Sequence, residues 1–197
     1  MKKSDPDSAQ QLPYNEQAHS VLFYTDDAFL PDGLCQFVRA ALTEEESVVL
    51  VVTKKHRNGL AKRLMVYGVD MSSTINKHRI IVLDAADTLS KFMDRGEPDY
   101  RKFASTVGPI IRKAESQGHP HRKRVAVFGE MVALLWAAKK WEAAIRLEQL
   151  WNELSETHFF YLRCAYPMSG FRGKQKGEPY AAVCAEHSTV IRAEVFA

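Results

Sequence analysis

Five consecutive residues, Val48-Val49-Leu50-Val51-Val52, carry no polar side chain. A strand with one wet face alternates apolar and polar residues. One that does not alternate has to be covered on both faces, which is the pattern of a parallel sheet between two helix layers. Four more apolar runs, 21–25, 79–83, 125–128 and 159–165, read as strands of the same sheet. The intervals between them have helical periodicity. Phe29, Leu30, Leu34, Phe37, Val38, Ala41 and Leu42 follow the first strand, with Asp26 or Asp27 as N-cap and Glu44-Glu45-Glu46 as a solvated turn. Further helices are expected over about 57–67 (closed by Gly68), 85–94, 99–117, 130–138 and 141–156. A last one opens at Pro179 and carries Tyr180, Val183, Cys184 and His187. Strand and helix in alternation predict an α/β fold: a mostly parallel sheet with helices on both faces.

A chain of 197 residues suits one domain. Residues 19–197 are assigned to it, and 1–18 to a polar, flexible arm. Residues 1–13 have almost no apolar side chain to bury, so their removal is expected to leave stability unchanged. The net charge of +3 is too small to argue for nucleic acid. His119-Pro120-His121-Arg122-Lys123-Arg124 is a basic run that reads as a solvated loop, with an acidic partner or nucleic acid as the alternative. Cys35, Cys164 and Cys184 are scattered and odd in number, which argues against a disulfide framework and a zinc site and fits a reducing compartment. With no signal peptide and no membrane-length apolar run, a cytoplasmic location is expected.

Ligands of open parallel sheets bind beyond the C-terminal ends of the strands. Those positions are Tyr24, Thr25 and Asp26; Thr53 and His56; Asp84; Gly129 and Glu130; and Tyr166 to Met168. A phosphate loop after strand one would need glycines and a lysine, whereas Tyr24-Thr25-Asp26-Asp27 offers two carboxylates that repel phosphate. No magnesium-dependent ATPase is therefore expected. Phe128-Gly129-Glu130-Met131 places a glycine, suited to a tight turn, and a carboxylate at a strand-to-helix junction. Glu130 either complements the helix dipole or faces the ligand crevice, and the sequence leaves both open. His19 and His187 have no partner at metal-ligand spacing, and Cys164 and Cys184 read as buried and inert. No metal site and no cofactor are assigned.

Several strings together resemble the MEDS family, the methanogen/methylotroph sensory domains of signalling proteins. They are His19-Ser20-Val21-Leu22-Phe23-Tyr24, Phe128-Gly129-Glu130-Met131-Val132 with Leu135-Trp136, Leu147-Glu148-Gln149-Leu150-Trp151-Asn152-Glu153-Leu154, Cys164-Ala165-Tyr166-Pro167, and Cys184-Ala185-Glu186-His187-Ser188. The resemblance runs from about His19 to Val190. It implies a RecA/KaiC-like fold lacking the phosphate loop, and a role in sensing small molecules such as hydrocarbon derivatives. Family members often sit beside DNA-binding or histidine-kinase domains. This chain has no room for such an output domain, which implies a stand-alone sensor or a fragment of a longer protein.

The leading expectation is a non-enzymatic sensor. A small ligand or partner protein would sit on Tyr24, His56, Glu130, Tyr166 and His187, with residues 169–178 closing over it. The output would pass to a kinase or transcription regulator, with a homo-oligomer possible and neither membrane nor direct nucleic-acid binding expected. A degenerate nucleotide binder using Arg172, Lys174 and Lys176 is the second reading. A small hydrolase or transferase with Glu130 as base near His187 is the third.

Overall fold

The structure, a computed structural model, describes residues 18–28, 30–77, 79–118, 124–171 and 177–193. The arm, most of the basic run 119–124, and Arg172, Lys174 and Lys176 lie outside the described residues.

Six strands form one all-parallel sheet: β1 (His19–Tyr24), β2 (Ser47–Val52), β3 (Ile80–Asp84), β6 (Val125–Gly129), β7 (Phe160–Pro167) and β8 (Thr189–Ala193). Their spatial order is β3-β2-β6-β7-β1-β8. The remaining two strands, β4 (Met93–Asp94) and β5 (Glu97–Pro98), make a small antiparallel hairpin. Every residue of β2 is buried, as the unbroken apolar run requires.

Strand alternation divides the core between the two faces. Leu22, Leu50 and Phe128 pack with α1 (Leu30–Thr43), α2 (Lys54–Val66) and α3 (Met71–Asn76). Phe23, Val49, Val127 and Leu162 face α4 (Ala85–Ser90), α5 (Tyr100–Gln117), α6 (Met131–Ala137), α7 (Trp141–Ser155) and α8 (Glu178–Ala185). Helices therefore cover both faces of a parallel sheet, an α/β fold. Among the described residues, no helix is long and apolar enough to cross a membrane.

Several local expectations need correction. α1 begins at Leu30, so Asp26 and Asp27 come too early to cap it; Asp26 instead closes a turn by accepting from the Ala28 amide at 2.8 Å. Glu46 is not solvated: it is buried, accepts from the Tyr161 hydroxyl at 2.8 Å and lies 3.5 Å from Arg124. The helix expected over 85–94 stops at Ser90, because the chain turns into the β4–β5 hairpin with Arg95 and Gly96 at positive φ. α3, capped by Asp70 through the Ser72 and Ser73 amides, and the edge strand β8 were not anticipated. Gly129 stays in β6, and a Cβ there would meet nothing within 4 Å, so no tight turn depends on it. Gly68 does take the left-handed φ of 73° expected just past α2.

Candidate functional site

The structure divides the five expected site residues between two buried polar clusters. Tyr24, His56 and Glu130 meet at the C-terminal ends of β1, β2 and β6. Tyr166 of β7 turns its side chain to the face covered by α7 and α8, where His187 also lies.

The strand-end cluster begins with Thr53, the N-cap of α2, which brings His56 into the first turn of that helix. Glu130 follows β6 and is only 2 % exposed. It does not cap α6; no side-chain capping bond forms there. Its carboxylate turns instead to the β2–α2 junction. There Oε2 accepts from the Thr53 amide at 2.6 Å and Oε1 pairs with His56 Nδ1 at 2.5 Å. The helix-dipole reading of Glu130 is thus replaced by a cross-strand one. His56 Nε2 points the other way. It lies 3.3 Å from Asp27 Oδ1 but outside hydrogen-bonding geometry, so this buried nitrogen has no hydrogen-bond partner. Asp27 is also paired with the exposed Lys55.

Burial works against a charged His56, yet the Glu130 and Asp27 carboxylates outweigh it and raise the imidazole pKa above its ordinary value. Burial likewise opposes the Asp27 charge, while Lys55 and His56 hold its carboxyl below the usual range. The Tyr24 ring meets His56 edge-on at 6.5 Å. Burial and the nearby Glu130 and Asp27 charges push its phenol pKa strongly upward. The cluster is a buried imidazole held by a carboxylate, with a ring beside it and a surface ion pair at its mouth.

The second cluster centres on Glu148 of α7, fully buried. Tyr166 donates its hydroxyl to Glu148 Oε1 at 2.9 Å, and Cys164 donates its thiol to Oε2 at 3.0 Å. His19 Nε2 stands 3.2 Å from Oε2, and His187 Nε2 stands 3.4 Å from Oε1. Burial alone would raise the Glu148 carboxyl, but His187 and His19 hold it well below the carboxylate range. Burial, with the Glu148 charge, pushes the Cys164 thiol and the Tyr166 phenol well up. The expectation that His19 and His187 lack ligand-type partners is corrected: the fold brings them together from opposite ends of the chain, their rings 4.1 Å apart. His187 also lies just beyond α8 rather than on it. Tyr166 and His187 are inaccessible to a crevice ligand in this arrangement, their side chains being fully enclosed.

Glu148, Cys164, His19 and Asp27 were missing from the expected site, and Thr53 stood only among the wider strand-end positions. For Glu148 a signal existed. It lies on the helical stripe of Ala144, Leu147 and Trp151, where a carboxylate is out of place unless it has partners. A separate cleft of about 320 Å³ opens between Trp136, Lys139, Trp141, Pro167 and Ser169. Its wall depends on Gly170, where a Cβ would come within 2.7 Å of the Trp136 ring.

An all-parallel α/β sheet with buried polar groups at its strand ends is an architecture shared by many ligand-binding proteins. The comparison with known families is more specific. Residues 18–180 match the model of the MEDS domain, the methanogen/methylotroph, DcmR sensory domain, and the chain belongs to that family. No curated protein matches it.

Proposed function

We propose that the chain is a non-enzymatic sensor that binds a small, polar derivative of a hydrocarbon at the strand ends and signals by changed contacts with a regulatory partner. The family is a sensory one, which supports the general role. The observation that carries the site is His56 Nε2: buried, on a ring oriented by Glu130 and Thr53, and without a hydrogen-bond partner. A ligand oxygen or halide there would give that nitrogen the hydrogen bond that Asp27, 3.3 Å away, does not make in good geometry. Tyr24 would supply an apolar ring beside it. Glu130 acts as a positioning residue beneath His56. Glu130 takes up His56 Nδ1, and the neighbouring carboxylates raise the imidazole pKa, which favours hydrogen-bond donation over proton abstraction and supports recognition rather than catalysis.

The test is a thermal-shift screen of the full chain against short alcohols, aldehydes, halomethanes and nucleotides. A ligand well above its dissociation constant should raise stability by about 2–3 kcal/mol. The shift should vanish in His56→Gln and persist in Trp141→Ala, which alters the separate cleft. The reverse pattern would move the site to that cleft. A response to nucleotides alone would replace the sensor reading with a degenerate nucleotide binder, and turnover of any compound would overturn the non-enzymatic one.

A further inference from the structure

The Glu148 cluster holds four potential metal donors of three chemical kinds: His19 Nε2, His187 Nε2, Cys164 Sγ and a Glu148 carboxylate oxygen, all within 4.8 Å of one another. We propose that these four residues bind one divalent transition-metal ion, with zinc the best match. The site is independent of the strand-end reading above.

Geometry is the first support. Zinc–ligand bonds of about 2.0–2.3 Å in a tetrahedron put neighbouring donors about 3.3–3.7 Å apart. Here Cys164 Sγ and Glu148 Oε2 lie 3.6 and 3.2 Å from His19 Nε2, and His187 Nε2, 3.4 Å from the other Glu148 oxygen, stands within 4.8 Å of the remaining donors. The thiol-to-carboxylate distance of 3.0 Å would lengthen slightly as the ion replaces the thiol proton.

The outer contacts point the same way. A metal-binding histidine usually gives its other ring N–H to an oxygen, which fixes the tautomer and aims the free lone pair. His19 Nδ1 lies 2.8 Å from Asn152 Oδ1, and His187 Nδ1 lies 2.6 Å from the Val183 carbonyl. In the neutral imidazoles that a metal ion requires, both Nε2 atoms would present lone pairs to the cluster. Asn152 is itself oriented, because its amide nitrogen donates to the Glu186 backbone carbonyl at 3.2 Å and to the Glu186 carboxylate at 3.3 Å. The Tyr166 hydroxyl does the same for Glu148. His187 Nε2 is buried, faces the cluster and makes no hydrogen bond. A proton on that nitrogen meets the Glu148 carboxylate at 3.4 Å without making a hydrogen bond in good geometry, whereas its lone pair would be satisfied by a metal ion.

Charge is the third support. A thiolate and a carboxylate with two neutral imidazoles neutralise a divalent ion, and a neutral assembly is what a fully enclosed site tolerates best. All four positions would be filled by protein, as in structural zinc sites. The ion would tie β1, α7, β7 and the segment after α8 together.

The test uses the full chain, freed of any affinity tag, stripped with chelator and titrated with Co²⁺, then with Zn²⁺. The expected result is saturation at a single Co²⁺ per chain, with a thiolate charge-transfer band and the intense visible bands of tetrahedral cobalt, both abolished by Zn²⁺. Cys164→Ser should lose the charge-transfer band, while Cys35→Ser and Cys184→Ser keep it. Asn152→Ala leaves all four donors in place and should weaken Co²⁺ binding by about 10–100-fold through His19 alone. Circular dichroism checks that each variant is folded. Should Cys164→Ser fail to fold, the parent titration and Asn152→Ala decide. A parent chain without the tetrahedral bands, bands that survive Cys164→Ser, or an Asn152→Ala affinity equal to the parent's would each overturn the proposal.

Discussion

At the scale of single residues, His56 and Glu130 show how one pair sets both charge and position. The raised His56 pKa gives a signed expectation. A group that binds its proton more tightly when folded contributes stability fully below its unfolded pKa near 6.5, and loses it as pH rises through the folded value. His56→Gln should therefore cost more stability at pH 5.5 than at pH 9, measured by urea denaturation. Lys55, raised, and Asp27, lowered, keep their charges across that interval, so the difference reports on His56. An equal cost at both pH values would show that the pair carries no net charge linkage. Glu130→Gln breaks a buried carboxylate–imidazole pair and should cost about 3–5 kcal/mol. A carboxylate serving only the α6 dipole would cost about 0.3–1 kcal/mol, a result that one denaturation curve distinguishes. The larger cost assigns Glu130 to holding His56 in place, leaving His56, Tyr24 and Asp27 as the groups for a ligand to meet.

At the scale of elements, periodicity located helices far better than it located their ends. The expected 141–156 helix matches α7 at Trp141–Ser155 because its buried stripe is long and strongly apolar. The expected 85–94 helix was cut short because Arg95-Gly96, a turn signal, lay just past the apolar pattern. β8 was missed because Thr189-Val190-Ile191 is too short a run to stand out, and its register comes from β1 beside it. The turn after β7 is a case where an element depends on one small residue. Gly170 lets Trp136 approach, accept a stacked Phe171 at 4.4 Å, and donate its indole N–H to the Gly170 carbonyl at 3.0 Å. Gly170→Ala is expected to cost about 1–3 kcal/mol, as overpacking does, and to shift tryptophan fluorescence as the ring is displaced. An unchanged spectrum and midpoint would mean that the turn relaxes freely.

At the scale of the whole molecule, β1 has a neighbour on each side: β7 pairs with it along its length, and β8 with most of it. Truncation before Thr189 removes β8 and leaves a fully buried apolar strand as an open edge. A loss of at least about 3 kcal/mol is expected, lowering Tm by about 6–12 °C for a chain of this size, with aggregation at higher concentration. Differential scanning calorimetry checks it; an unaltered Tm would make β8 an ornament of the sheet.

Hydrophobic pattern alone determined the class of this fold, because strands without a polar face have to lie between two helix layers, and helical stripes supply those layers. Particular residues, rather than the pattern, showed that no phosphate-loop motif follows β1, and strings spread along most of the chain carried the family. The strand order and the two polar clusters came from tertiary structure. His19 and His187 are 168 residues apart in sequence, and Glu148 and Cys164 reach them from a helix and a strand between. Sequence spacing carries no information about such a meeting. It occurs because β1, β7 and β8 are neighbours in the sheet and α7 lies across them, and because buried polar groups are stable only where they find one another.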